Sequence, residues 1–140
     1  MKQKIINIVL SILIVLSFGF SLYVFIDNKD DTDLNNTQYV MYIGTNDKDT
    51  YSQIIPLVEA KEIIDGICFK YLDGYTIQDA TGTWINEKDE VIKENTLICY
   101  IYGTSEDVIY KIADEIIVAL NQNTVLIEKD LVTTEYYSGK

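Results

Sequence analysis

Residues 5–26 read IINIVLSILIVLSFGFSLYVFI, 22 positions without a charged side chain. As a helix rising about 1.5 Å per residue, such a run reaches about 33 Å, enough to cross a hydrocarbon core of about 30 Å. Secretory signal peptides usually have a shorter apolar stretch followed by a small-x-small cleavage site, and no such site stands before Asp27. The run therefore reads as an uncleaved transmembrane anchor over residues 1–26, with a cleaved signal as the alternative. No Cys follows it to carry a lipid. Lys2 and Lys4 flank one end and Asp27, Asp30, Asp31 and Asp33 the other. That placement of positive charge predicts a cytoplasmic N-terminus and an extracytoplasmic remainder, held by a single pass through the cell membrane.

What the anchor would display is acidic. All 11 basic residues of the chain are Lys, and His is absent. Two of the lysines precede the apolar run, so nine Lys stand against 22 carboxylates after it, a net charge of −13. A polyanion bound through phosphate neutralisation finds little to grip here, which argues against nucleic acid as a partner. Without His or Arg, the chain also lacks the usual proton shuttle near neutral pH and the two-pronged guanidinium.

The Asp- and Asn-rich residues 27–38 read as a solvated tether. A domain over residues 39–130 follows, and residues 131–140 form a polar tail. Tyr39 to Gly44 is a β-branched and aromatic run, predicted as a strand. From Pro56, the residues Leu57, Ala60, Ile64, Ile67, Cys68, Tyr71 and Leu72 recur at helical steps and close at Asp73-Gly74. Two strands, 75–84 and 96–102, then flank the polar turn Asn86 to Glu90. Ser105 is placed as a helix cap before the stripe Val108, Ile109, Ile112, Ala113, Ile116 and Leu120. After Asn121-Gln122-Asn123, residues 124–127 resume a strand.

The order β-α-β-β-α-β folds most simply into an α+β, ferredoxin-like domain: an antiparallel sheet with both helices on one face. The first and third strands are apolar at nearly every position, so their second face also calls for cover. If Met41, Ile43, Cys99 and Ile101 point to the helices, then Tyr42, Tyr100 and Tyr102 lie on the open face. A face-to-face homodimer, another protein, the polypeptide tail or a ligand is the expected cover.

The densest chemistry lies in the hairpin Asp73-Gly74-Tyr75-Thr76-Ile77-Gln78-Asp79-Ala80-Thr81-Gly82-Thr83-Trp84, with Glu94 across the turn. Asp79 and Glu94 are candidates for an acid/base pair and Trp84 for a binding platform. A purely structural reading competes: a turn at Asp73-Gly74, a bulge or close approach at Gly82, and Trp84 as an anchor. The candidate binding residues are Tyr42, Asp79, Trp84, Glu94, Tyr100 and Tyr102. None is assigned a catalytic role. In its D-G-x-T-x-x-D-A-x-G-x-W spacing, followed by a Glu before an apolar strand, this hairpin resembles an uncharacterised family of small secreted or membrane-anchored bacterial domains. The resemblance spans about residues 39 to 130 and implies a compact α+β domain behind a signal or anchor, with no particular activity.

No cofactor is expected. The acidic runs 27–33 and 46–49 lack the central Gly and closing Glu of a calcium loop, and two distant Cys without His do not make a standard zinc site. Outside the cytoplasm Cys68 and Cys99 could close a disulfide. Their positions, on a helical stripe and in a strand, equally suit two buried thiols.

Overall fold

The computed structural model describes residues 36–139. The apolar run, and the anchor expected from it, lie outside the described residues. Among the described residues no helix is long and apolar enough to cross a membrane.

The elements are β1 (Thr37–Gly44), α1 (Leu57–Cys68), β2 (Thr76–Ile85), β3 (Val91–Tyr102), α2 (Glu106–Ala119) and β4 (Leu126–Leu131). The sheet runs β2-β3-β1-β4 with every neighbouring pair antiparallel. This is the ferredoxin-like arrangement, and its α+β class follows from the alternation of periods along the chain. The first and last strands pair side by side, so both reach beyond their expected limits. Thr37 lies opposite Leu131, which draws two residues of the tether and the start of the tail into the sheet.

Strand alternation decides the core. Met41, Ile43, Leu97, Cys99 and Ile101 are fully buried, and they cluster with Ala60, Ile64 and Ile67 of α1 and with Ile109, Ile112 and Ile116 of α2. The even-numbered residues of β1 and β3 face away from the helices. Among them Val40 is still only 6% exposed. It lies in register between Tyr100 and Glu128, outside the main core. The central strands therefore do bury part of their second face, as their apolar character requires.

The helix ends differ from expectation in instructive ways. α1 stops at Cys68 rather than Leu72, because the backbone tightens: Lys70 N donates to Ile67 O at 3.2 Å and Tyr71 N to Cys68 O at 3.0 Å. Leu72 nonetheless stays in the core. Ser105 occupies the cap of α2, but its hydroxyl makes no capping bond. Its carbonyl accepts from Val108 N and Ile109 N instead. At the other end Asn121 takes a left-handed backbone, φ 49°. There Gln122 N donates to Ile117 O at 2.9 Å and Asn121 N to Val118 O at 3.4 Å. This paired closure is the Schellman motif, and it aims residues 121–124 back over the end of β1.

Cys68 and Cys99 are free thiols, both buried. Burial beside Cys68 pushes the Cys99 thiol up. Of the two sequence alternatives the structure has the buried thiols and no disulfide between Cys68 and Cys99.

Candidate functional site

At the β1 end nearest Gly44 the open sheet face sinks into a recess of about 490 Å³. Two absent side chains make the space. A methyl group on Gly44 would meet Glu94 Oε2 at 2.6 Å, and one on Gly82 would meet Thr96 Oγ1 at 2.5 Å. Gly82 lies opposite Glu94 and Gly44 opposite Thr96, so the two glycines flank consecutive open-face positions of β3. The Glu94 carboxylate can therefore lie flat on the sheet. It accepts from the Trp84 indole N–H at 2.9 Å and from Asn46 N at 3.2 Å.

Two loops wall this floor. In the β1–α1 loop, Asp47 accepts from the backbone N–H groups of Asp49 and Thr50, both at 3.0 Å, and from Asn121 Nδ2 at 2.7 Å. The Asn121 bond, with the loop donors adding, holds the Asp47 carboxyl below the usual Asp range. The carboxylate expected at an acidic run is thus engaged in shaping the loop. Gln122, only 8% exposed, donates to Asn46 O at 2.7 Å and Leu120 O at 3.1 Å, tying the second loop to the first.

The aromatic walls are Tyr42, Tyr51 and Trp84. Tyr51 and Trp84 meet edge to face with centroids 5.8 Å apart. Tyr42 Oη donates to Glu128 at 2.9 Å, which raises its pKa. Tyr51 Oη donates to Glu87, raising the tyrosine and lowering the glutamate. Tyr51 itself sits at φ 52°, a conformation uncommon for a bulky residue.

The six residues named from sequence fall into three groups. Tyr42, Trp84 and Glu94 line the recess. Tyr100 and Tyr102 lie on the same sheet face but line a separate cleft of about 520 Å³ with Tyr71 and Tyr136. Asp79 joins neither. It lies opposite Leu97 and so faces the helices, where Lys61 Nζ stands 2.6 Å from its carboxylate. An acid/base pairing of Asp79 with Glu94 is therefore not assembled, since the two side chains leave opposite faces of the sheet. Sequence reading missed Tyr51, Asn46 and Gln122. Loop residues carry no periodicity, and only their left-handed and turn-forming neighbours hint at a shaped segment.

No family model matches the chain, and no curated protein matches it. Solved structures share its fold. A phage SAM lyase in complex with S-methyl-5'-thioadenosine is 16% identical, covering 74% of this chain and 94% of its own, with a TM-score of 0.56. The apo state of a phage SAM lyase gives 17% identity, 74% and 93% coverage and a TM-score of 0.50. A DUF3240 family protein from Shewanella baltica OS155 gives 8% identity, 74% and 98% coverage and a TM-score of 0.44. At such identities, the likeness to the two phage structures establishes the arrangement of strands and helices alone.

Proposed function

We propose that this domain is a binding module that takes a small molecule into the recess above Gly44 and Gly82, and that residues 1–26 anchor it in the membrane with the domain outside the cytoplasm. The observation that carries the binding reading is the Glu94 carboxylate, held on a glycine floor by the Trp84 indole and Asn46 N–H. Concave sites of this size, with aromatic walls and a few converging polar groups, are the usual form of a ligand pocket. Binding is proposed without catalysis, because the one acid/base pair the sequence offered is split across the sheet.

Thermal-shift measurement against a broad metabolite set tests the reading. S-Methyl-5'-thioadenosine is a natural first probe, as the ligand present in a protein of the same fold. A ligand at 100 times its dissociation constant stabilises the fold by about 2.7 kcal/mol. Trp84→Leu should abolish the shift, and a screen with no hit would count against the pocket. For the anchor, protease added to intact cells should digest the domain. Recovery of the whole chain from the cytosol would refute that placement.

A second reading, contact with another protein or a second copy, is favoured at the opposite end of the sheet by the cleft holding Tyr100, Tyr102 and the almost fully exposed Tyr136. Sedimentation of the domain tests it: a strict monomer whose Tyr100→Asp and Tyr102→Asp variants melt unchanged would remove it.

A further inference from the structure

The recess carries more negative charge than its own protein neutralises. Each aromatic wall has its polar end tied to a carboxylate: Tyr42 to Glu128, Tyr51 to Glu87, and Trp84 to Glu94. Asp47 lines the same space. Asp47 and Glu94 line the recess against one lining ammonium, Lys48, while Glu87 and Glu128 stand behind the tyrosine hydroxyls they hold. Among the described residues the ion pairs engage Asp79, Glu115 and Glu106, and none of the four.

Anchoring the polar ends in this way fixes the three rings as electron-rich walls of the recess. A neutral guest gains apolar contact alone, and an anion meets repulsion. A cation whose charge is spread over alkyl groups gains both the aromatic faces and the carboxylate field, and sheds water more cheaply than a bare ammonium.

Building on the binding reading above, we propose that the ligand of the recess is a compact organic cation with an alkylated ammonium head, seated between Trp84, Tyr51 and Tyr42 over Glu94. The cavity exceeds such a head in volume, so the remainder of the ligand extends along Thr96 and Leu126.

Trp84 is the sole tryptophan of the chain, so its emission reports on this site. Three probes of nearly one shape separate the effects: choline, its neutral carbon isostere 3,3-dimethylbutanol, and the anion 3,3-dimethylbutanoate. Choline should change Trp84 emission saturably and bind about tenfold or more tighter than the alcohol, with the anion silent. Raising the salt concentration should weaken choline and leave the alcohol unaffected. Glu94→Gln should weaken choline about tenfold and spare the alcohol. Glu128→Gln gives the same comparison should the first variant misfold.

Equal binding of alcohol and choline would overturn the cation proposal and leave the pocket standing. So would a metabolite-screen hit that is neutral or anionic while choline stays silent. Silence of all three probes together with an empty screen would bring down the binding reading itself.

Discussion

Gly44 and Glu94 are mutually dependent: a methyl group on the glycine would stand 2.6 Å from Glu94 Oε2 and 2.8 Å from Oε1. The obstructed atoms are the far end of a flexible side chain, which can swing away. Gly44→Ala should therefore change stability by less than about 1 kcal/mol, since relief of glycine's backbone entropy offsets the crowding. It should still alter Trp84 emission, because the indole loses its acceptor. Gly82→Ala is different, because its methyl would meet the buried, β-branched Thr96 at 2.5 Å. A cost of about 1–3 kcal/mol is expected there. Denaturant melts of the two variants, read beside their emission spectra, check both statements. A large loss of stability in Gly44→Ala would contradict the flexible-carboxylate argument.

The hinge between the two loops makes a second comparison. Asn121 supplies a left-handed backbone and two side-chain donors, to Asp47 at 2.7 Å and Asp49 at 2.9 Å. Asn121→Gly keeps the backbone and loses the donors, whereas Asn121→Ala loses both. The alanine variant should be less stable than the glycine one by about 1 kcal/mol. Gln122→Leu should cost about 1–3 kcal/mol by leaving Asn46 O and Leu120 O without their amide donor. Equal melting of all three variants would show that the loops are held by other means.

Stability should fall at both ends of the pH scale. Asp47, Glu87, Glu106 and Glu115 are held below their ordinary values of 3.8 and 4.5 by hydrogen bonds, chiefly from Asn121, Tyr51, Lys129 and Lys70 respectively. A carboxylate with a depressed folded pKa stabilises fully above its unfolded value and stops doing so as pH falls through the folded one. The acid loss thus begins near 4.5 and deepens below 3.8. Tyr42, Tyr51, Tyr71, Tyr75 and Tyr110 are raised above 10.0, and Lys70 and Lys129 above 10.5. Their contribution is complete below those values and is lost as pH rises past them. Melting temperature followed by circular dichroism should show a plateau between about pH 5 and 9. A protein as stable at pH 3 as at pH 7 would contradict the carboxylate assignments.

The buried thiols give a prediction of reactivity. Only a thiolate attacks a disulfide reagent; burial beside Cys68 holds Cys99 protonated, and full burial of both sulfurs keeps a bulky reagent from reaching either. Neither Cys68 nor Cys99 should react with an aromatic disulfide reagent while the domain is folded, and both should react once denaturant opens it. Fast reaction of either thiol in the native protein would mean that the core opens locally.

How much of this was legible follows from what periodicity can and cannot carry. Met41, Ile43, Cys99 and Ile101 face the helices as their alternation required, and Ile64 and Ile112 fall on their helical stripes. Trp84 and Glu94 meet because the turn between them brings β2 back along β3. Asp79 stands five residues before Trp84 in one strand, so alternation alone turns it to the other face, and which of those faces Glu94 shares is set by the hairpin register. That register rests on Asn86, whose Oδ1 accepts from Lys88 N and Glu90 N at 2.9 Å, and on the left-handed Asp89. Such turn chemistry is not encoded in any hydrophobic pattern. The extension of β4 through Leu131 was hidden for a related reason, since an edge strand facing solvent keeps a polar sequence.

The recess draws on residues 42–51, 82–96 and 122–126, stretches parted from one another by most of a helix-bearing crossover. During synthesis its third portion emerges last, along with the strand that must slot in beside the first. A ribosome-bound fragment ending before residue 122 would therefore carry floor and aromatics yet lack a wall, so the recess closes only once the segment leading into β4 has been made.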